Sequence, residues 1–479
     1  MKQSIIVFIV FFLLALTGQA GQGKETAKSK RYDLTKVELL DVETAQQIAL
    51  QDNPGIGAAQ ARLEQAKAVL QQAVAADKPS VDASASTGFA RYPDTTYDSI
   101  SLSDASADQN HGVGSLALQA SWLLFDGYAR KFQQEQARYG VQSSVASRKN
   151  TQRILASAVA DAFFNGQLAL AAIEIAAANK EFYERQLQDA ESRLEVGSGS
   201  LSDVLNMKVQ LNSAKNNLLT SGRDYEVTRY ALAALLGLAD SILPETVKLA
   251  ELDKDFDISA DNTRTAQADG DTFIAEALQA RPDLTALDMQ IKGAESGIEQ
   301  AKAGDWPTVQ LIGKIDGNTQ DGLVPTGEDF GASLGVSASW NLYSGGTVDA
   351  AVLKARQAKR EAKYAYAELR NSIAAEVQQD ITRLTAAREQ VRLQRETVEL
   401  VEENRKLAKS EYEAGSASLV RLNEAQRDLT ATYGRLAQAL VGYHQARHQL
   451  LAAVGRNLEP FNDLLAVKIA QPKMAEDSE

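Results

Sequence analysis

The sequence contains no cysteine, which excludes disulfides, zinc–thiolate sites and a lipidated N-terminal cysteine. It contains only nine prolines in 479 residues, so very long uninterrupted helices are possible. Acidic residues outnumber basic ones, and a formal net charge of −13 argues against a nucleic-acid partner, because phosphate binding needs clustered Lys and Arg. The chain is therefore predicted to bind no nucleic acid.

Long apolar runs are also scarce, with one exception at the N-terminus. Lys2 precedes an apolar run from Ile5 to Leu16, and Gly18-Gln19-Ala20 follows as a small-x-small cleavage pattern. These features predict a secretory signal peptide at 1–20, followed by an N-terminal tail at 21–40. The run is shorter than the roughly 20 residues that a spanning helix needs. No later segment is predicted to span a membrane as a helix, so insertion would require a β-barrel.

The rest of the chain contains two copies of one unit. After Pro54, apolar residues follow the a and d spacing of a coiled coil, and every position of this pattern recurs after Pro282. Farther along, a slightly shorter constant offset relates the copies and aligns Gly237 with Gly455. The matched positions are Ile56, Ala59, Leu63, Ala66, Leu70 and Ala73, and then Leu284, Leu287, Ile291, Ala294, Ile298 and Ala301. This duplication predicts a first structural repeat at 41–237 and a second at 273–457.

Each repeat is expected to contain two long helices. The predicted pairs are about 128–196 with 201–236, and about 346–414 with 419–455. A helix of about 70 residues would be on the order of 100 Å long, too long to bury its apolar stripe in a compact domain. It must pack against other long helices in a bundle or cylinder. Gly197 and Gly415 are predicted to form the turns at the tips of the two helix pairs.

Two segments of alternating polarity precede the long helices in each repeat. The predicted strands are about 79–92, 113–125, 307–317 and 331–343. Trp122, Trp340, Leu334 and Val336 are predicted to face the membrane, although a half-buried soluble hairpin shows the same alternation. Closing a barrel takes about eight strands, so the four strands of one chain predict an oligomer.

With these features in place, the sequence resembles the TolC-like outer-membrane efflux protein family over nearly the whole mature chain. The resemblance is carried by ETAQQIALQDNPGIGAAQARLEQAKA, its repeat FIAEALQARPDLTALDMQIKGAES, and the tips LEVGSGSLSDVL and YEAGSASLVRLNEAQ. It implies a mainly α fold with a transmembrane β-barrel sector. Three copies would form a 12-stranded barrel continued by a periplasmic α-helical barrel. Residues 238–272 would be an equatorial linker, and 458–479 a C-terminal equatorial segment and tail.

The resemblance also implies the function and the partners. The chain would be the outer-membrane exit duct of a tripartite export system in a Gram-negative cell, for efflux of small toxic compounds or type I protein secretion. Its implied partners are two further copies, a periplasmic adaptor, an inner-membrane pump or ABC exporter, and outer-membrane lipid. In the family, residues just after the tip glycines narrow the periplasmic entrance. The matching positions are Asp203 and Asn206 in the first copy and Arg421 and Glu424 in the second, where Arg421 departs from the family's acidic pattern.

No catalytic constellation emerges from the sequence. His444 and His448 have the i, i+4 spacing of metal ligands, but without a third ligand nearby the interpretation is a solvated pair. The chain is therefore predicted to be a passive conduit without metal or cofactor, and not an enzyme. The alternative is a periplasmic coiled-coil adaptor or structural rod without a membrane barrel. The exported substrate cannot be inferred from this chain.

Overall fold

A computed structural model describes residues 37–101, 109–258, 270–319 and 323–465. The predicted signal peptide, the tail up to residue 36 and the C-terminal residues 466–479 lie outside the described residues. The described N-terminal part consists of β1 (Leu39–Leu40), α1 (Val42–Asp52), α2 (Pro54–Ala75), β2 (Ser80–Arg91), α3 (Asp94–Ser101) and β3 (Asn110–Phe125). The elements that follow are α4 (Ala129–Glu195), α5 (Leu201–Leu236), β4 (Lys248–Leu249), α6 (Gly270–Ala280), α7 (Pro282–Lys302), β5 (Thr308–Thr319), β6 (Phe330–Ser339), α8 (Thr347–Glu413), α9 (Leu419–Val454) and α10 (Asn462–Leu465).

The four long helices form two antiparallel hairpins. Both α4 and α8 have 67 residues, and both α5 and α9 have 36, so the two copies match in length. At 1.5 Å per residue, α4 is about 100 Å long. Val377, Leu384, Val391 and Val398, which recur every seven residues along α8, are buried. The apolar seam of each hairpin therefore provides the packing that so long a helix needs.

The helices and strands follow the same lateral order. The four strands form one antiparallel sheet in the order β2-β3-β5-β6. In the half next to the sheet, α4 packs against α2 and α7, and α7 packs against α8. In the other half, α4 packs against α5 and α9, and α9 packs against α8. One chain is therefore a strip in which α8 forms one edge, and α2 with α5 forms the other.

The ends of α5 and α9 are held in equivalent ways. Gly237 and Gly455 terminate them in the left-handed conformation, with φ of 82° and 88°. Asn53 Nδ2 donates to Leu235 O in the first copy, and Arg281 donates to the carbonyl of Ala453 in the second. The duplication therefore preserves a side-chain hydrogen bond to the last turn, while its donor has changed from an amide to a guanidinium.

The linker between the repeats crosses both hairpins. Gln167 of α4 donates to Ala250 O at 2.7 Å, and Arg388 and Arg395 of α8 donate to the carbonyls of Ile258 and Phe256. Two regular elements fall within the predicted linker at 238–272. Residues 248–249 form β4, which pairs in parallel with β1 of the predicted N-terminal tail, and residue 270 begins α6.

One correction concerns the apolar segments. Contrary to the expectation that no later segment could span a membrane, α4 contains a window long and apolar enough to do so. Half of that window is buried inside the protein. Val159, Ala160 and Phe163 of α4 belong to the main core together with linker residues. Packing against protein explains the apolar character of this window.

Candidate functional site

The sheet has one apolar and one polar face. The strand register places Leu334 opposite Gly313 and Val336 opposite Leu311. Their side chains are 78% and 66% exposed, so no described part of the chain covers them. On the other face, Ser80 and Ser86 of β2 form hydrogen bonds of 2.8 Å with Ser121 and Ser115 of β3. Hydroxyl groups thus pair across the strands on one side, while the aliphatic side remains uncovered.

The two tryptophans occupy matching positions at the helix end of the sheet. Trp122 Nε1 donates to Asp77 O at 2.8 Å, and Trp340 Nε1 donates to Asp305 O at 3.0 Å. The predicted strand at 331–343 ends at Ser339, so Trp340 follows the strand instead of lying in it. Each indole is exposed on its ring and bonded through its nitrogen, an arrangement suited to the boundary between lipid and water.

The hairpin tips have the same backbone geometry. Gly197 and Gly415 both adopt φ of 75°, which favours glycine because it has no Cβ. Ser200 accepts a hydrogen bond from the Asp203 amide, and Ser418 accepts one from the Arg421 amide, so each return helix has a serine N-cap.

The four entrance candidates lie in the first two turns after these caps. Asp203 and Asn206 are half-buried, whereas Arg421 and Glu424 are exposed. Asp203 accepts the Ser200 hydroxyl at 2.8 Å. Within the chain, Arg421 does not pair with Asp203 but with Glu411 of its own hairpin, at 3.2 Å. The predicted residues therefore share one end of the molecule without forming a common cluster inside one chain.

Sequence reasoning missed the contacts that join the two tips. The guanidinium of Arg193 of α4 lies over the ring of Tyr412 of α8, with Cζ 4.7 Å from the ring centre. Burial raises the pKa of Tyr412, the charge of Arg193 opposes this rise, and the charge of nearby Asp203 adds to it. Leu419 and Leu422 of α9 pack into a core shared with the first hairpin. A tyrosine directly before a tip turn was the available signal, but its partner lies in the other repeat.

Above the tips, the seam between α4 and α9 is polar. Thr430 donates to Asn179 Oδ1 at 3.1 Å, and Gln426 donates to the same oxygen at 3.3 Å. In the described part of the chain, Tyr183 Oη and Asn423 Oδ1 are buried without a hydrogen-bond partner. Unsatisfied buried polar atoms destabilise an interface. These two unpartnered atoms therefore lower the stability of this seam.

A charged recess of about 410 Å³ lies between α4, α8 and α9 at the height of the linker. Its lining includes Asp161, Asp380, Arg383 and Gln449. Burial raises the pKa of both Asp161 and Asp380. Asp161 lies six residues before Gln167, so it is on a different side of α4 from the linker contact.

The histidine pair packs among aromatic rings. His444 stacks on Phe164 at 5.3 Å, and His448 lies 5.2 Å from the same ring. Burial lowers the pKa of His448 to about 4, and the charge of Arg447 contributes. Among the residues that the structure describes, no group of three or more His, Cys, Asp or Glu side chains could hold a metal ion.

The match to a known protein family falls in two segments, one in each repeat. The family model described as "Outer membrane efflux protein" matches residues 45–238 and 273–456. Nodulation protein T of Rhizobium leguminosarum bv. trifolii is 24% identical over 360 residues, which cover 73% of each chain. Outer membrane protein TolC of Vibrio cholerae is 24% identical over 70% of this chain and 74% of its own. The crystal structure of the Vibrio cholerae outer membrane protein VceC has a TM-score of 0.69 at 20% identity, covering 86% of this chain and 96% of that one.

Proposed function

Because the chain belongs to the outer membrane efflux protein family, we propose that three copies of it form the exit duct of a tripartite export system. The protein is an outer-membrane channel of the efflux class, and its activity is conduction rather than catalysis. The observation that carries the proposal is the four-stranded sheet mounted on two long hairpins. In the part of the chain that the structure describes, its aliphatic face is uncovered and its two edge strands have free outer edges.

The edges of the strip support a closed ring. Among the described residues, β2 and β6 each pair on one side only, and four strands are too few to enclose a space. A head-to-tail contact, in which β6 of one copy pairs with β2 of the next, would produce a twelve-stranded barrel with three copies. Such heterologous contacts close into rings when the rotation permits. The proposed homotrimer removes every free strand edge.

The helices at the strip edges support the same closure. The large exposed apolar residues of α8 all fall within about 40° of one another on a helical wheel, along the whole helix. Those of α5 fall within about 80°. They are Leu353, Tyr364, Leu393, Leu400 and Leu407 on α8, and Leu201, Leu205, Val209, Leu219, Val227 and Tyr230 on α5. Because α8 and α5 lie at opposite edges in the half away from the sheet, head-to-tail assembly would bury Leu393, Leu400 and Leu407 against the α5 stripe.

The inside of such a ring would be wet and the outside of its barrel apolar. The serine face of the sheet would line water, and Leu334 and Val336 would contact lipid. The charged recess around Asp161 would open toward the conduit. An adaptor or rod without membrane strands would have no need for the uncovered aliphatic face, which disfavours that alternative.

We further propose that a periplasmic adaptor and an inner-membrane pump open the entrance at the hairpin tips. The polar seam between α4 and α9 supports this, since its separation exposes groups that water can solvate. Asp203, Asn206, Arg421 and Glu424 would line the entrance as threefold rings. The same duct suits small compounds and unfolded polypeptides, so the partner pump would select the cargo.

The proposal is tested with the full-length protein expressed in a Gram-negative host. We expect it in the outer-membrane fraction after carbonate extraction, as a trimer by light scattering in detergent, and as an ion-conducting channel in planar bilayers. Release by carbonate together with a stable folded monomer would contradict the duct and favour the adaptor or rod.

A further inference from the structure

The chain is acidic overall, yet α4 and α8 are basic between the sheet and the linker. Residues 129–153 of α4 include six Lys or Arg and one Glu, and residues 347–370 of α8 include six Lys or Arg and three Asp or Glu. Farther from the sheet, residues 376–413 of α8 carry seven basic and nine acidic side chains. The positive charge is therefore concentrated in the half of the helices next to the sheet.

Six of these basic residues form what we call the basic band. Lys131, Arg138 and Lys149 lie on one face of α4 because the intervals between them are close to whole helical turns. Arg356, Lys363 and Arg370 are spaced about two helical turns apart, so they lie on one face of α8. The six side chains, Lys131, Arg138, Lys149, Arg356, Lys363 and Arg370, are all exposed, and none is within ion-pair distance of a carboxylate in the described residues.

The acidic residues of α7 do not neutralise the band. On α7, which packs between α4 and α8, Asp288 pairs with Lys292 and Glu299 pairs with Lys302. Glu295 pairs with Lys359 at 2.7 Å, and Lys363 also helps to lower its pKa. Each of these carboxylates already has a lysine partner, so the band retains its net positive charge.

The band lies on the side of the helices that carries the linker. Lys131 and Gln167 are separated by about ten whole turns of α4, and Gln167 donates to the linker. Likewise Arg370 and Arg388 are separated by about five whole turns of α8, and Arg388 donates to Ile258 O. In the proposed duct the linker must lie outside the conduit, so this step depends on the proposed function. The band then faces the periplasm just below the outer membrane.

Assembly would leave the band uncovered. On α8, Tyr364 of the proposed subunit interface directly follows Lys363 and is thus about a quarter-turn from the band. Head-to-tail packing along that stripe buries the side of α8 next to the band, not the band itself. Three copies would surround the duct with eighteen unpaired basic side chains.

We propose that the basic band binds the carboxylate-bearing polymer of the cell wall, peptidoglycan, where the duct passes through it. The vertical extent of the band decides between this polymer and the lipid surface. From Lys131 to Lys149 the helix rises about 27 Å, and Arg370 lies about 35 Å below the start of α8. Electrostatic attraction decays over about 8 Å at physiological salt. A headgroup layer at the sheet would reach only the uppermost residue, whereas a layer crossed by the helices reaches them all.

The test is co-sedimentation of the purified full-length protein in detergent with purified peptidoglycan sacculi. One variant replaces the six band residues with Gln. A control replaces Lys215, Arg223 and Lys406 with Gln, because these exposed basic residues lie outside the band, at the height of the linker or beyond it toward the tips. We expect the wild type and the control to sediment with the sacculi. The bound fraction of the band variant should be about fivefold lower than that of the wild type, or lower still. Salt at about 0.5 M should release the wild type, since the contacts are ionic.

Two further arms make the result decisive. Sacculi whose carboxylates have been amidated should fail to bind the wild type. Vesicles of phosphatidylglycerol should bind the wild type and the band variant alike. Equal sedimentation of the band variant and the wild type, or band-dependent binding to vesicles alone, would overturn the inference. Channel conductance of each variant is measured in parallel, so that loss of the duct, which would refute the proposed function, is distinguished from loss of wall binding.

Discussion

At the residue scale, some side chains at matching positions of the two copies make the same hydrogen bonds, and others make additional ones. The indoles of Trp122 and Trp340 donate to equivalent carbonyls, so this contact survived the duplication. Asn53 and Arg281 cap equivalent helix ends, but only Arg281 also binds Asp283 and Glu376. Burial opposes the charge of Asp283, yet Arg281 and Arg153 hold the pKa of that carboxyl below its usual value. The second copy thus carries a charged junction that the first lacks.

The entrance residues permit a prediction about resting conductance. Arg421 neutralises Glu411 in its own tip, so Arg421→Ala leaves an unpaired carboxylate at each of three tips. Exposed pairs contribute about 0 to 1 kcal/mol each, but three acting on one closed state change its population several-fold. We expect higher resting conductance in planar bilayers for Arg421→Ala and weaker cation preference for Glu424→Ala. Conductance and selectivity equal to those of the control Lys406→Ala would show that these residues do not line the constriction.

His448 makes the stability of the helical region depend on pH. Its pKa in the folded protein is about 4, below the ordinary 6.5, so the unfolded chain binds the proton more tightly. The stability that neutral His448 contributes is therefore present above pH 6.5 and is lost as the pH falls toward 4. Between pH 7 and 4.5, we expect the wild type to lose roughly 2 kcal/mol more than His448→Gln in denaturant unfolding. Parallel losses in both proteins would exclude this role.

At the element scale, strand faces and helix ends are defined by different physical requirements. Strand faces follow from alternation, because neighbouring side chains point to opposite sides of a sheet. Helix ends require a residue that can adopt positive φ, which is why α4, α5, α8 and α9 are each followed closely by such a glycine. The two requirements lead to separate substitution tests.

The strand faces are tested by placing one charge on each. Arg at Leu334 or Val336 would lie against lipid and should cost about 2 to 4 kcal/mol per site near the bilayer centre. Arg at Ser337, on the opposite face of the same strand, should be tolerated if that face lines water. Trimer yield in outer-membrane extracts is the measurement. Equal tolerance at all three positions would mean that the sheet is not in a membrane.

The helix ends are tested by comparing two glycines with similar φ. An added Cβ at Gly237 would lie 2.6 Å from Asp52 O, whereas at Gly197 it would meet nothing within 4 Å. Gly197→Ala should therefore cost only the left-handed strain, about 1 to 2 kcal/mol. Gly237→Ala should cost about 1 to 3 kcal/mol more through overpacking. Thermal unfolding in detergent measures both, and equal losses would contradict the close approach of Gly237 to the start of α2.

At the scale of the whole molecule, the described chain is an open strip with matched edges. Free strand edges and continuous apolar stripes on exposed helices are liabilities in a monomer. Because these features lie on opposite edges of the strip, one edge of a copy can pack against the other edge of the next copy, related to it by a rotation. This is the physical reason to expect that a folded monomer does not persist.

The assembly is tested on the α8 stripe. Leu400 is 64% exposed at the centre of the stretch that includes Leu393 and Leu407. Leu400→Glu would bury a charge against α5 of the next copy, so we expect a lower trimer fraction by light scattering. Lys406→Glu, on a different side of α8, serves as the control. A normal trimer with Leu400→Glu would place the subunit contact elsewhere.

The sequence by itself determined the family, the fold class and the repeated order of elements. Family and fold are confirmed by the matched segments 45–238 and 273–456 and by the similarity to solved channels. Heptads, strand alternation and turn glycines are local patterns with fixed periods, so they can be read without knowing what they contact. For the same reason, the end of the last strand was placed too late, because Trp340 keeps the alternation after pairing has stopped.

Only the tertiary structure decided which distant residues meet. It paired Arg421 with Glu411, placed Tyr412 beneath Arg193, and joined β1 to β4 across the whole first repeat. It also separated the basic band from the acidic remainder, which a net charge of −13 conceals. These features depend on helix rotation and lateral order. Both result from packing between segments far apart in the chain, and no local pattern encodes that packing.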